Sequence, residues 1–174
     1  KIDLAATKEF GIPVTNCPGV NQIAVAEHVL AMLFSYFKNI HLVHNITSQG
    51  GWKRPLGSDL YGKKIGIIGL GAIGKELAKR TPILGMETFF YDVKIDPNFI
   101  EANDLTALES VEKIFRTCDI VSLHLPLLES TKGIISKQLL QEYTKPGLVL
   151  INTSRAGLVE EQDILDAIQD GKLG

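Results

Sequence analysis

Residues 64–74 read KIGIIGLGAIG, an apolar run that ends in glycines spaced Gly-x-Gly-x-x-Gly at Gly69, Gly71 and Gly74. A chain that does this must stop a strand, turn sharply and open a helix within a few residues. The pattern has two readings. The glycines can simply let a helix lie close against a strand, or they can bring helix N-terminal N–H groups up to the phosphates of a nucleotide. Sequence context favours the second. The motif follows the strand-like run Lys64–Ile68 and opens a helical pattern at Ala72, and Asp92 ends the next strand-like run near the ~20-residue spacing of a dinucleotide site. In that reading Gly69 makes the tight turn, Gly71 lets the backbone approach the pyrophosphate and Gly74 lets the helix pack on the strand. Asp92 would accept hydrogen bonds from the adenosine ribose and repel a 2′-phosphate, so NAD is expected over NADP. Lys94, two residues on, is read as a solvated lysine. Methyltransferases also pair a glycine turn with a strand-end acid, so the fingerprint alone leaves redox chemistry open.

The rest of the chain alternates in the same way. Strand-like runs are expected at Ile12–Val14, Lys64–Ile68, Thr88–Tyr91, Ile120–Leu123 and Leu148–Ile151. Helical patterns run from Asn21 to about Asn45, Ala72 to Leu84, Leu105 to Thr117, Ser136 to Tyr143 and Glu160 to Gln169. Nearly all-apolar strands suit a sheet covered on both faces. The expected fold is therefore α/β, a Rossmann-type doubly wound and mainly parallel sheet with helices on both faces. The first helix stands apart, because Ile23, Val25, Val29, Leu30, Leu33, Phe34, Phe37 and Ile40 wrap more than one of its sides. It is either buried within this domain's core or packed against a second subunit or another domain.

Composition narrows the partners. Eighteen Lys and Arg against twenty Asp and Glu, a net charge of -2 and no basic block give nothing that attracts nucleic acid or an anionic membrane. No apolar run approaches the ~18 residues of a membrane-spanning helix. Cys17 and Cys118 lack the spacing of a metal site or a disulfide framework, so free thiols and a cytoplasmic location are expected, with no metal. The opening KIDLAATKEF, without an initiator Met, and the closing DGKLG suggest a piece of a longer protein. Residues 1–174 are thus read as one dinucleotide-binding domain, truncated at both ends, with the substrate domain outside it.

Two further segments, LHLPL at 123–127 and INTSRAGLVEE at 151–161, fall where the last two strands should end, on the edge that faces a ligand. Arg155 follows a buried strand and small residues. Its fixed fork of donors would suit a substrate carboxylate or a carbonyl oxygen gaining charge; the plainer alternative is a surface arginine capping the loop before the Glu160 helix. His124, beside Leu-Pro, is read as packed or bonded to backbone. His28, His41 and His44 are read as ordinary residues of the first helix.

Taken in order, GVNQIAVAEHVL, LYGKKIGIIGLGAIGKELAKR, Tyr91-Asp92, DIVSLHLPLLESTKGIIS and KPGLVLINTSRAGLVEEQDILDAI resemble the nucleotide-binding domain of the D-isomer-specific 2-hydroxyacid dehydrogenases. The resemblance covers almost the whole chain. It implies that Gly69, Gly71 and the Ala72-Ile73 backbone hold the pyrophosphate, Asp92 the adenosine ribose, and that Leu125 and Pro126 border the adenine. It places Thr153 by the nicotinamide ribose or carboxamide and makes Arg155 the catalytic arginine. The implied reaction passes hydride between NAD(H) and a 2-hydroxy or 2-keto acid, with a proton from a histidine tuned by a glutamate. That pair is expected after the strand that should follow Gly174, and the substrate-gripping loop before Lys1, so neither role falls to His124 and the isolated chain should not turn over. A homodimer through this domain is also implied. The family commonly has Arg-Gly where this chain has Arg155-Ala156-Gly157, which would disturb Arg155 if position 156 required a positive φ. Two other readings stay open: a non-catalytic NAD-sensing or partner-binding protein, and another nucleotide-dependent enzyme.

Overall fold

Strand register positions everything else in the computed structural model, which describes residues 2–174. Five parallel strands, β1 (Lys64–Ile68), β2 (Glu87–Tyr91), β3 (Thr106–Ala107), β4 (Ile120–Leu123) and β5 (Val149–Asn152), lie in the order β3-β2-β1-β4-β5. The chain winds outward from β1 to β3, then returns to the other side of β1 with β4. That reversal opens a crevice between β1 and β4 at their carboxyl ends, the usual ligand position in such sheets. The helices are α1 (Leu4–Glu9), α2 (Gln22–Phe37), α3 (Ile40–Ser48), α4 (Ala72–Ala78), α5 (Pro97–Ala102), α6 (Val111–Thr117) and α7 (Glu161–Gln169). The doubly wound parallel architecture expected from the sequence is present.

Period-two alternation divides the core into two layers. Ile65, Ile67, Phe90, Ile120 and Ile151 face one way and meet Ala26, Val29, Leu33 and Phe37 of α2 and Leu77 and Ala78 of α4. Ile68, Val121 and Leu123 face the other way, toward Val111, Ile114 and Phe115 of α6 and Ala167 of α7. Each fully buried residue of this size contributes about 1.5–3 kcal/mol relative to exposure, which makes these strands obligatory members of the core. Gly66 in mid-strand has a packing cause, since a Cβ there would lie 2.4 Å from Ile114 Cγ2. Against it sits Cys118, whose thiol is pushed up to about 12 by burial, whereas Cys17 is exposed. At the sheet margin Leu173 makes a parallel bridge with Leu148.

Several boundaries differ from expectation. Ile12–Val14 forms no strand: it lies beyond the sheet, both its apolar ends are exposed, and Pro13 has no N–H to give. The helix expected from Asn21 to Asn45 is two helices, α2 and α3, bent by 62°. Asn39 makes the break in a left-handed conformation (φ 53°), with its side-chain amide donating to Leu56 O at 2.9 Å. Only one side of α2 is buried in this chain. The helix from Ala72 stops at Ala78 and is followed by a 3₁₀ turn at Pro82–Leu84, because proline at 82 has no N–H to continue the helical ladder. Residues 105–110 are not helical; Thr106–Ala107 adds β3, and α6 starts after Ser110, whose hydroxyl accepts from Lys113 N–H at 3.3 Å. In the Ser136–Tyr143 stretch, Leu139–Tyr143 is a π-helical turn.

Candidate functional site

Parallel pairing aligns Tyr91, Ile68, Leu123 and Asn152 across four strands. The next residue of each strand therefore falls along one edge: Asp92, Gly69, His124 and Thr153. Residues expected at a common site from three separate sequence segments are thus neighbours by register alone.

The glycine turn has a geometry that side chains would block. Gly69 has φ +98°, and a Cβ on it would lie 2.8 Å from His124 O and 3.1 Å from Leu125 Cδ2. Gly74 packs so tightly that a Cβ would sit 2.1 Å from Gly69 O. Gly71, by contrast, faces open space with nothing within 4 Å. It is the N-cap of α4, and no side chain caps that helix end. Ala72 is exposed and Ile73 half-buried beside it, so the backbone of the first turn is approachable from outside.

Asp92 is tied into this turn. Its Oδ2 accepts the Leu70 N–H at 2.6 Å and its Oδ1 the Lys94 N–H at 2.8 Å. The carboxylate keeps further lone pairs for two hydroxyls. The sequence reading gave Asp92 the ribose and missed this second bond to Leu70. Leu125 is half-buried beside Gly69, and Pro126 is exposed next to it.

Beyond β5 the chain makes a pinned turn. Asn152 Oδ1 accepts from Ser154 N–H at 3.0 Å, Asn152 Nδ2 donates to Arg155 O at 2.9 Å, and Ser154 Oγ donates to Leu123 O at 2.8 Å. Sequence reasoning passed over Asn152 and Ser154; the Asn-x-Ser spacing of an Asx turn could have found them. Arg155 leaves this turn exposed, with Nη1 donating to Ser154 O at 2.8 Å and no carboxylate within ion-pair distance among the described residues. It does not cap α7. Ala156 opens a 3₁₀ turn, and the positive φ that alanine would resist is absent there.

Thr153 and Asn152 line a cavity of about 540 Å³ with Ala24, Val25, His28 and Met32 of α2. His28, read from sequence as an ordinary helix residue, is therefore at the site. Three buried side-chain atoms lack a partner among the described residues: Gln22 Oε1 at the start of α2, His124 Nδ1 after β4 and Thr153 Oγ1 after β5. Each belongs to a segment at this edge. His124 pairs with a side chain rather than with backbone, its Nε2 lying 2.9 Å from Ser122 Oγ, and burial pushes its pKa down to about 4. An imidazole with so low a pKa is neutral near pH 7.

Comparison with known proteins shows the family and the fold. The family described as D-isomer specific 2-hydroxyacid dehydrogenase, NAD binding domain, matches residues 30–174. The chain is 37% identical to a D-3-phosphoglycerate dehydrogenase of Haemophilus influenzae over 99% of its own length and 42% of that protein's. It is similar in structure to the apo D-lactate dehydrogenase of Escherichia coli, with a TM-score of 0.92 and 28% identity over 99% of this chain and 54% of that one. The D-lactate dehydrogenase of Aquifex aeolicus complexed with NAD and lactic acid gives a TM-score of 0.87 at 29% identity, over 99% and 52%. The chain thus spans between two fifths and just over half of the length of these relatives.

Proposed function

The chain belongs to the D-isomer-specific 2-hydroxyacid dehydrogenases, of which it is an NAD-binding domain, and from that premise we propose that the protein it serves interconverts a 2-hydroxy acid and its 2-keto acid. The observation that carries this reading is the alignment of Asp92, Gly69 and Thr153 on one edge, with Arg155 free beside them. NAD(H) bound there supplies the hydride-transfer chemistry. The chain's residues bind and orient. Gly69, Gly71 and the Ala72, Ile73 and Gly74 backbone admit the pyrophosphate, Asp92 receives the ribose hydroxyls, and Leu125 and Pro126 flank the adenine. Thr153 holds the nicotinamide end, where its partnerless hydroxyl and the 540 Å³ cavity offer a donor and a place. Arg155 pairs with the substrate carboxylate and steadies the carbonyl oxygen as charge develops on it. The proton donor belongs to the substrate side of the complete protein. A reducing, cytoplasmic setting is supported by the two free thiols. Oxidation of NADH by a panel of 2-keto acids tests the reading; no turnover with any of them by the complete protein would refute it.

Cofactor choice follows from Asp92. The unmodified protein should bind NADH well ahead of NADPH, because a 2′-phosphate would lie against the carboxylate. Asp92→Ser keeps an acceptor for the Leu70 N–H but removes the charge, and should narrow the NADH/NADPH affinity ratio by about 1–3 kcal/mol, or roughly 5- to 150-fold. Titration of both cofactors by fluorescence measures it. Equal affinities in the unmodified protein would contradict the role given to Asp92.

The same proposal includes a homodimer through this domain. Ile40, Leu42 and Val43 of α3 are exposed, as are Trp52 (90%) and Leu56 (93%) in the segment after it. Exposed apolar side chains gathered in one stretch of chain support such a surface, and twofold pairing is the commonest closed solution. Sedimentation at micromolar concentration should show a dimer that Trp52→Glu dissociates. A monomeric unmodified protein would argue against it.

A further inference from the structure

The turn carrying Asp92 has little beneath it. From β2 the chain passes through Asp92-Val93-Lys94-Ile95-Asp96 into α5, and both apolar residues face solvent, Val93 86% and Ile95 62% exposed. No apolar anchor fixes the turn, so polar contacts at its two ends must do so. At the near end the Asp92 carboxylate accepts the Leu70 and Lys94 N–H groups. At the far end Asp96 is shared: Oδ1 caps α5 through Phe99 N–H at 3.3 Å, and Oδ2 accepts from Lys75 Nζ at 2.5 Å. The Lys75 ammonium also lies 4.8 Å from the centre of the half-buried Phe99 ring. Lys75 itself follows Gly74 directly, on the helix that begins at the glycine turn. One lysine therefore joins the phosphate-side helix to the cap of α5, and the Asp92 turn is strung between the two. The hydrogen bond from Lys75 holds the Asp96 carboxyl below the usual carboxylate range.

We infer that Lys75, acting through Asp96 and Phe99, is a positioning residue that sets Asp92 against the glycine turn and so tunes affinity for the adenosine half of NAD(H). The inference rests on the cofactor reading above. A partly exposed ion pair adds little to folding. Its value lies in ordering the turn before the ligand arrives, which removes an ordering cost from binding.

A double-mutant cycle with Lys75→Met, Asp96→Asn and the pair, made in the complete protein, tests this by calorimetric titration with NADH and with ADP-ribose, which lacks the nicotinamide. Each single change should weaken both ligands by roughly 3- to 10-fold, the scale of an ion pair together with a cation–π contact. The double variant should bind no worse than either single one, Lys75→Arg should recover most of the loss, and kcat at saturating NADH should move by less than about twofold. Single variants that bind both ligands as the unmodified protein does, or losses that multiply in the double variant, would overturn the inference. An unmodified protein that fails to bind NADH would remove the cofactor reading and this inference with it.

Discussion

Arg155→Gln in the complete protein is expected to lower kcat/KM for its keto acid by about 10²- to 10³-fold, the cost of removing one donor aimed at developing charge, while NADH affinity stays nearly unchanged. The separation follows from where Arg155 stands. It comes after the pinned Asn152-Thr153-Ser154 turn, is exposed, and spends one guanidinium N–H on Ser154 O. The remaining donors face no carboxylate of this chain among the described residues, so a fork suited to a planar carboxylate is free. Among the described residues its hydrogen bonds go to its own turn and none to the glycine turn or to Asp92. Glutamine keeps a donor and much of the length but loses the charge and the bidentate fork. Arg155→Lys should rescue only partly, because a point charge does not reproduce paired N–H groups. Steady-state kinetics with NADH titrated separately measures both halves. A complete protein whose kcat/KM is indifferent to Arg155→Gln would show that the chemistry lies on other residues. Residues 1–174 alone should give no measurable turnover, since losing general-acid help costs 10²–10⁴-fold and losing substrate positioning adds several kcal/mol to the barrier.

The site was legible in the sequence to the extent that it is built from local signals. Gly69, Gly71 and Gly74 announce a strand-turn-helix by themselves, and Asp92 lies one crossover away, so parallel register brings them together without long-range information. Thr153 was placed by family resemblance, and register then puts it on the same edge. Less legible were features decided by one residue's tolerance or by packing from elsewhere. Apolar spacing continues past Lys38 into Ile40 and Val43, and nothing in that pattern distinguishes Asn39, which alone makes the 62° break through a left-handed conformation. Ile12–Val14 carries strand-like residues but, among the described residues, has no neighbouring strand to pair with, which is a tertiary condition. The cap of α5 was readable and overlooked: Asp96-Pro97 sets a side-chain acceptor before a proline at the first helical position, a strong start signal. His28 joins the Thr153 cavity only because α2 crosses the end of β5, and no periodicity predicts that crossing.

Gly74→Ala is expected to destabilise the domain by about 1–3 kcal/mol through overpacking, against the direction that helix propensity alone would give. Alanine in place of glycine inside a helix ordinarily gains about 1 kcal/mol, and Gly74 lies within α4 without a positive φ. The contact decides the sign. An added Cβ would stand 2.1 Å from Gly69 O and 3.2 Å from Ile67 Cγ2, and the first of these is backbone, which yields only if the turn opens. Opening the turn moves Gly69 away from His124 and Leu70 away from Asp92 Oδ2, so NADH affinity should fall along with stability. Gly71→Ala gives the contrasting case. Its φ of -75° and ψ of -160° suit any residue, and a Cβ there meets nothing within 4 Å. Stability should therefore hold within about 0.5 kcal/mol, while NADH affinity drops by roughly tenfold or more, because the methyl group occupies the space through which the pyrophosphate reaches the backbone. Urea denaturation and NADH titration of the two variants, side by side, separate packing from ligand approach. A Gly74→Ala protein as stable as the unmodified one, or a Gly71→Ala protein that binds NADH normally, would mean that these glycines do not divide the two tasks in this way.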